Sequence, residues 1–162
     1  MAAGLLGLLS VALALGGDRG GSRSSSSSSS TSSAPFPWDA VRLPKHVIPL
    51  RYHLLIHPNL TTLTFAGTAA IEVTVTRQTS EVILHGKRLR VTRAAIEAGS
   101  TGPAQEARVL EHQPFEQVAL LAAEPLRAGH NYTLSIQYLA NLSESFHGFY
   151  KSTYRTREGE LR

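Results

Sequence analysis

After about residue 35 the chain alternates apolar and polar positions with a period of two, the pattern of half-buried β-strands. The longest run lies between Leu63 and Thr76. Leu63, Phe65, Gly67, Ala69, Ile71, Val73 and Val75 share one face, and Thr62, Thr64, Thr68, Glu72, Thr74 and Thr76 dominate the other. Such a strand buries one face and wets the other. Gly67 in its middle predicts a bulge or the close approach of another backbone. In 50–57, Leu50, Tyr52, Leu54 and Ile56 point one way and Arg51, His53 and His57 the other, with Leu55 the exception and Pro58-Asn59 as the stop. Further strands are predicted over 81–85, 88–96, 107–111, 116–122 and 132–138, punctuated by Gly86-Lys87, the 99–103 stretch, Pro114 and Pro125. No segment carries a convincing helical period. Residues 103–112 offer only Val109-Leu110 as an apolar stripe. The predicted fold class is all-β, an antiparallel sandwich or open sheet.

The first 34 residues read differently. Ala2 to Leu15 is an almost unbroken apolar run, shorter than the ~20 residues of a membrane span. It fits the core of a secretory signal, although no Lys or Arg precedes it. Residues 1–17 are therefore read as a signal peptide or signal-like leader, with a retained anchor as the alternative. Residues 18–34 are dominated by serine and cannot bury enough apolar surface to offset the entropy of ordering them, so they read as a disordered linker. Residues 35–162 form the β domain, entered through Pro35-Phe36-Pro37-Trp38, whose aromatics can anchor it to a surface.

The formal charge of +4 is spread out rather than gathered in a stripe with interleaved aromatics, which argues against nucleic acid as a partner. With no cysteine, disulfides, thiolate metal sites and cysteine catalysis are excluded. There are seven histidines. His53 and His57 are four apart, but on a strand that spacing separates them by roughly 13 Å, too far for two ligands of one ion at about 2 Å each. His46, His85, His112, His130 and His147 sit in turn-like or strand-end contexts. There is no His-Glu-x-x-His, no phosphate loop and no nucleophile elbow. Catalytic, metal-binding and substrate-binding residues are accordingly expected to be none.

Three N-glycosylation sequons occur, at Asn59, Asn131 and Asn141. Asn59 falls in a predicted turn, and the other two flank the 132–138 strand. Together with the leader they place the chain in the secretory pathway. Asn131 is expected to be modified less completely, because Tyr132 opens the buried face immediately after it.

Particular segments resemble the start of the zinc aminopeptidases of the aminopeptidase N type. They are Phe36-Pro-Trp-Asp, the run from Arg42-Leu-Pro through Tyr52-His-Leu-Leu-Ile-His57, Asn59 to Phe65, Ile83-Leu-His85, Glu116 to Leu121, and His147-Gly-Phe-Tyr-Lys-Ser-Thr-Tyr-Arg155. Residues 141–155 resemble in particular the branch that works in the endoplasmic reticulum lumen, where peptide precursors for antigen presentation are trimmed. The resemblance implies a saddle-like N-terminal β domain, incomplete here at its C-terminal end. In the intact family it packs on a zinc catalytic domain and helps close the cleft that binds peptide substrates. Zinc is the cofactor of that parent. The Gly-Ala-Met-Glu-Asn and His-Glu-x-x-His motifs of the family are absent from this sequence, so no cofactor is expected in this chain and the chain alone is expected to be inactive. Strands lacking their later partners are expected to favour self-association. The alternative reading is a secreted, non-enzymatic β-sandwich binding module.

Overall fold

A computed structural model describes residues 35–99, 102–144 and 148–160. The leader and serine tract predicted over 1–34, and His147, lie outside the described residues.

The chain forms β1 (Val47–Asn59), β2 (Thr64–Val75), β3 (Thr79–His85), β4 (Leu89–Ala98), β5 (Ala104–Glu106), β6 (Arg108–His112), β7 (Gln117–Leu126) and β8 (His130–Asn141). One 3-10 turn (Gln113–Phe115) precedes β7, and there is no α-helix among the described residues. Sheet A has five strands in the order β1-β2-β8-β4-β5, and sheet B three in the order β3-β7-β6. Every ladder between named strands is antiparallel. The predicted sandwich is therefore the observed one, and each strand read from alternation is present.

The sheets pack face to face. From sheet A, Phe65, Ile71, Val73, Val75, Ile96, Leu134, Ile136 and Tyr138 meet Val82, Leu84, Val118, Leu120 and Leu126 of sheet B. The polar halves of the same strands, such as Thr68, Ser135 and Gln137, face out. Burying each large aliphatic side chain contributes about 1.5–3 kcal/mol, so β2 and β8 carry much of the stability. The apolar face of β2 thus finds its second layer within this chain.

Sheet B is covered on its other side as well. Ile83 and Ala119 pack with Leu43, against which Phe36 and Trp38 also lie. Residues 35–46 form a strap across sheet B, as their aromatics suggested. Gln117 holds it: its buried Nε2 donates to the carbonyls of Ala40 and Val41, each at 2.9 Å. Trp38 Nε1 closes the strap on itself by donating to Arg42 O at 2.8 Å.

Several expectations need correction. Gly67 marks no bulge, since β2 keeps register through it with Ile56 on one side and Tyr138 on the other. What approaches is a side chain, the Tyr138 ring, and a Cβ at Gly67 would lie 2.7 Å from its Cε2. Pro125 does not end β7. Residues 122–125 lie outside both ladders of β7, so the missing N–H breaks no pairing. The face of β1 read as apolar is largely uncovered, for a reason that bears on function.

Candidate functional site

Beyond a register shift between Pro49 and Arg51, β1 pairs Tyr52 with Ile71, Leu54 with Ala69 and Ile56 with Gly67. These three residues of β1 belong to the inner face of sheet A. Yet Tyr52 and Leu54 are 37% and 41% exposed, whereas their neighbours Ile71 and Ala69 are 0% and 1% exposed. Sheet B has only three strands against five, and only Val47 and Ile56, near the two ends of β1, pack with the shared core. β1 overhangs sheet B. Leu55 and Leu139 are exposed on the outer face, Leu50 at the register shift, and Leu60 and Leu63 in the β1–β2 turn. Large apolar side chains exposed together along an edge strand mark it as an interaction surface. The free edge of β1 also carries Pro49 and Pro58, which an edge strand tolerates because no neighbour needs their N–H.

The outer face of sheet A adds a second feature. Cross-strand rows run Leu55-Thr68-Gln137-Arg93 and His53-Ala70-Ser135-Ala95 across β1, β2, β8 and β4. Small residues at Ala70, Ala95 and Ala104 leave a basin of about 500 Å³. Its charges are paired internally. Arg93 Nε lies 3.2 Å from Glu106 Oε1, and Arg51 Nη1 and His53 Nε2 each lie 3.6 Å from Glu72 Oε1. Exposed pairs of this type contribute little energy, but among the described residues both ionisable groups that line the basin, His53 and Arg93, lie beside a glutamate.

The described histidines do not converge. His53 faces Glu72, His46 Nδ1 bonds Arg77, His130 Nδ1 is 3.0 Å from Ala128 O, and His112 stacks on Phe36 with centroids 4.8 Å apart. Among the described residues no group of three or more His, Asp or Glu could hold a metal ion. The described residues do not fit a zinc site.

The sequon asparagines are all exposed. Asn59 ends β1, and its Oδ1 accepts from the N–H groups of Thr61 and Thr62 at 3.0 and 3.1 Å, an Asx turn that leaves its amide nitrogen outward. Asn141 ends β8 opposite Thr64. Asn131 is the second residue of β8, on the outer face opposite Thr74.

The family model for the peptidase M1 N-terminal domain matches residues 48–162. This chain belongs to that family. As a peptidase M1 N-terminal domain, it is 57% identical over 130 residues to endoplasmic reticulum aminopeptidase 1 of Homo sapiens, covering 79% of this chain and 14% of that protein. It is 44% identical over 131 residues to endoplasmic reticulum aminopeptidase 2 of Homo sapiens, covering 78% of this chain and 14% of that protein. Aminopeptidase N of Canis lupus familiaris is 32% identical over 130 residues, with 73% and 13% covered. The chain thus spans about 14% of the length of these two human aminopeptidases, and the matched family model is that of the N-terminal domain, without the catalytic domain. The overhang of β1 was not legible as such in the sequence. Its alternation reads the same whether or not a second layer lies above it.

Proposed function

We propose that this chain is the non-catalytic N-terminal module of a zinc aminopeptidase that trims N-terminal residues from peptides in the endoplasmic reticulum lumen. Its task is to seat on the zinc catalytic domain and form one wall of the peptide-binding cleft. The overhang of β1 carries this reading, because it leaves Tyr52 and Leu54 exposed on the inner face of sheet A and Leu55 exposed on the outer face of the same edge strand. The compartment is supported by the names of the human relatives and by three exposed sequon asparagines. Two domains, a leader at 1–17 and a linker at 18–34, precede the β domain in this reading. Without the catalytic domain, the exposed apolar side chains and free edge of β1 favour self-association.

The test is reconstitution. Purified chain alone is expected to hydrolyse no aminoacyl substrate. Mixed with human endoplasmic reticulum aminopeptidase 1 lacking its matching N-terminal residues, it is expected to restore chelator-sensitive activity. A Leu54→Asp/Leu55→Asp variant should fold and fail to restore it. Equal reconstitution by that variant would overturn β1 as the seat, and activity from the chain alone would overturn the non-catalytic reading.

A further inference from the structure

At the end of the sandwich away from the β1–β2 turn, a notch of about 310 Å³ is lined by Lys45, His46, Thr76 and Arg77. We propose that this notch is a binding site for a phosphate monoester group.

Two cations without a carboxylate partner among the described residues share it. Arg51, Lys87, Arg93 and Lys151 each have a glutamate within 4.0 Å. Lys45 and Arg77 have none among the described residues, and they share one concavity. The concavity around Arg88 differs, since Glu111 and Glu116 line it as well and neutralise it. Glu81 does not line the notch, although its charge reaches His46 and opposes that of Arg77 there. The β7–β8 turn brings Arg127 to the same end, where Gly129 N donates to Val75 O at 2.7 Å.

The notch is also built. Arg77 Nη2 lies 3.2 Å from His46 Nδ1. A guanidinium only donates, so His46 Nδ1 accepts, and the imidazole is neutral with its proton on Nε2. Burial and the Arg77 charge hold the His46 pKa below its ordinary value, consistent with that state. The backbone beneath is tied down twice. Thr76 N donates to His46 O at 2.8 Å, and Thr76 Oγ1 donates to the same oxygen at 3.3 Å. One side of the guanidinium is thereby occupied and oriented, leaving its other N–H groups for a ligand. A planar fork beside an ammonium matches the oxygens of a tetrahedral dianion.

The experiment is an NMR titration of the full chain with inorganic phosphate against chloride at matched ionic strength. Saturable shifts are expected at residues 45–47 and 75–78, with dissociation on the order of millimolar for a two-cation open site. Arg77→Gln and Lys45→Gln, both exposed positions, are each expected to weaken binding at least fivefold, while Arg88→Gln leaves it unchanged. Phosphatidic acid vesicles form a second arm. If they displace free phosphate, the monoester is supplied by a lipid headgroup; if they do not, it is a soluble one. Shifts that never saturate, that fall equally on residues 87–90, or that survive Arg77→Gln overturn the proposal.

Discussion

The ring of Tyr138 lies directly against the backbone of Gly67, one strand away. A Cβ at residue 67 would sit 2.5 Å from the phenol oxygen and 2.7 Å from Cε2. The pair shares a cross-strand register position, and Phe65 and Phe149 complete the packing: Phe65 meets Tyr138 edge-on at 6.3 Å and Phe149 at 5.2 Å. Gly67→Ala must displace a ring held on all sides. The expected loss is about 1–3 kcal/mol, the usual cost of overpacking a filled core, read as a lower urea midpoint at unchanged slope. A variant as stable as the parent would show that the ring has room to move.

Tyr138 is 2% exposed and its hydroxyl has no hydrogen-bond partner among the described residues. Removing an unsatisfied buried hydroxyl relieves a desolvation cost of about 1–3 kcal/mol. Tyr138→Phe is therefore expected to be neutral or stabilising. Burial also raises the pKa of this phenol above its ordinary value of 10.0. The folded state then holds the proton where the unfolded chain releases it. This contribution to stability is complete below about pH 10 and is lost as pH rises through the folded pKa. Urea midpoints should fall above pH 10 in the parent and fall less in Tyr138→Phe.

His46 supplies the opposite case. Its pKa is lowered by burial and by Arg77, with Glu81 opposing. The unfolded chain takes up the proton first as pH falls. The contribution of His46 is thus complete above about pH 6.5 and is lost as pH drops through the folded value. Between pH 7 and 5 the stability of His46→Gln should change less than that of the parent. Parallel curves for the two proteins would contradict the assignment.

Gln117 fastens the strap over residues 35–46 with two bonds to backbone carbonyls. Gln117→Leu leaves both carbonyls without their donor, and about 1–3 kcal/mol should be lost. Limited proteolysis within residues 36–43 should then become faster, while cleavage elsewhere in the folded domain keeps its rate.

Expression in mammalian cells should yield glycans on Asn59 and Asn141, with Asn131 occupied less fully. Peptide-N-glycosidase digestion followed by mass spectrometry of the three sequons reads this directly. Thr133, the acceptor-site residue of the Asn131 sequon, already donates its hydroxyl to Gly99 O at 3.3 Å and is half-buried. Full occupancy at Asn131 with none at Asn59 would reverse the expected order.

Period-two alternation alone determined the strands and the faces that would be apolar, because a pleated strand places side chains on alternate sides whatever surrounds it. It therefore located β2 and β8, and family motifs in the same residues pointed to the peptidase M1 N-terminal domain. Local pattern contains no information about how many strands the opposing sheet has. Tyr52 and Ile71 occupy equivalent positions in their strands, yet one is 37% exposed and the other 0%. Only the tertiary arrangement, three strands laid over five, decides which apolar residues become core and which remain as a surface. The same holds for charge. Lys45 and Arg77 are far apart in sequence, and the notch they share exists only because β1 and β2 pair from Val47 to Val75.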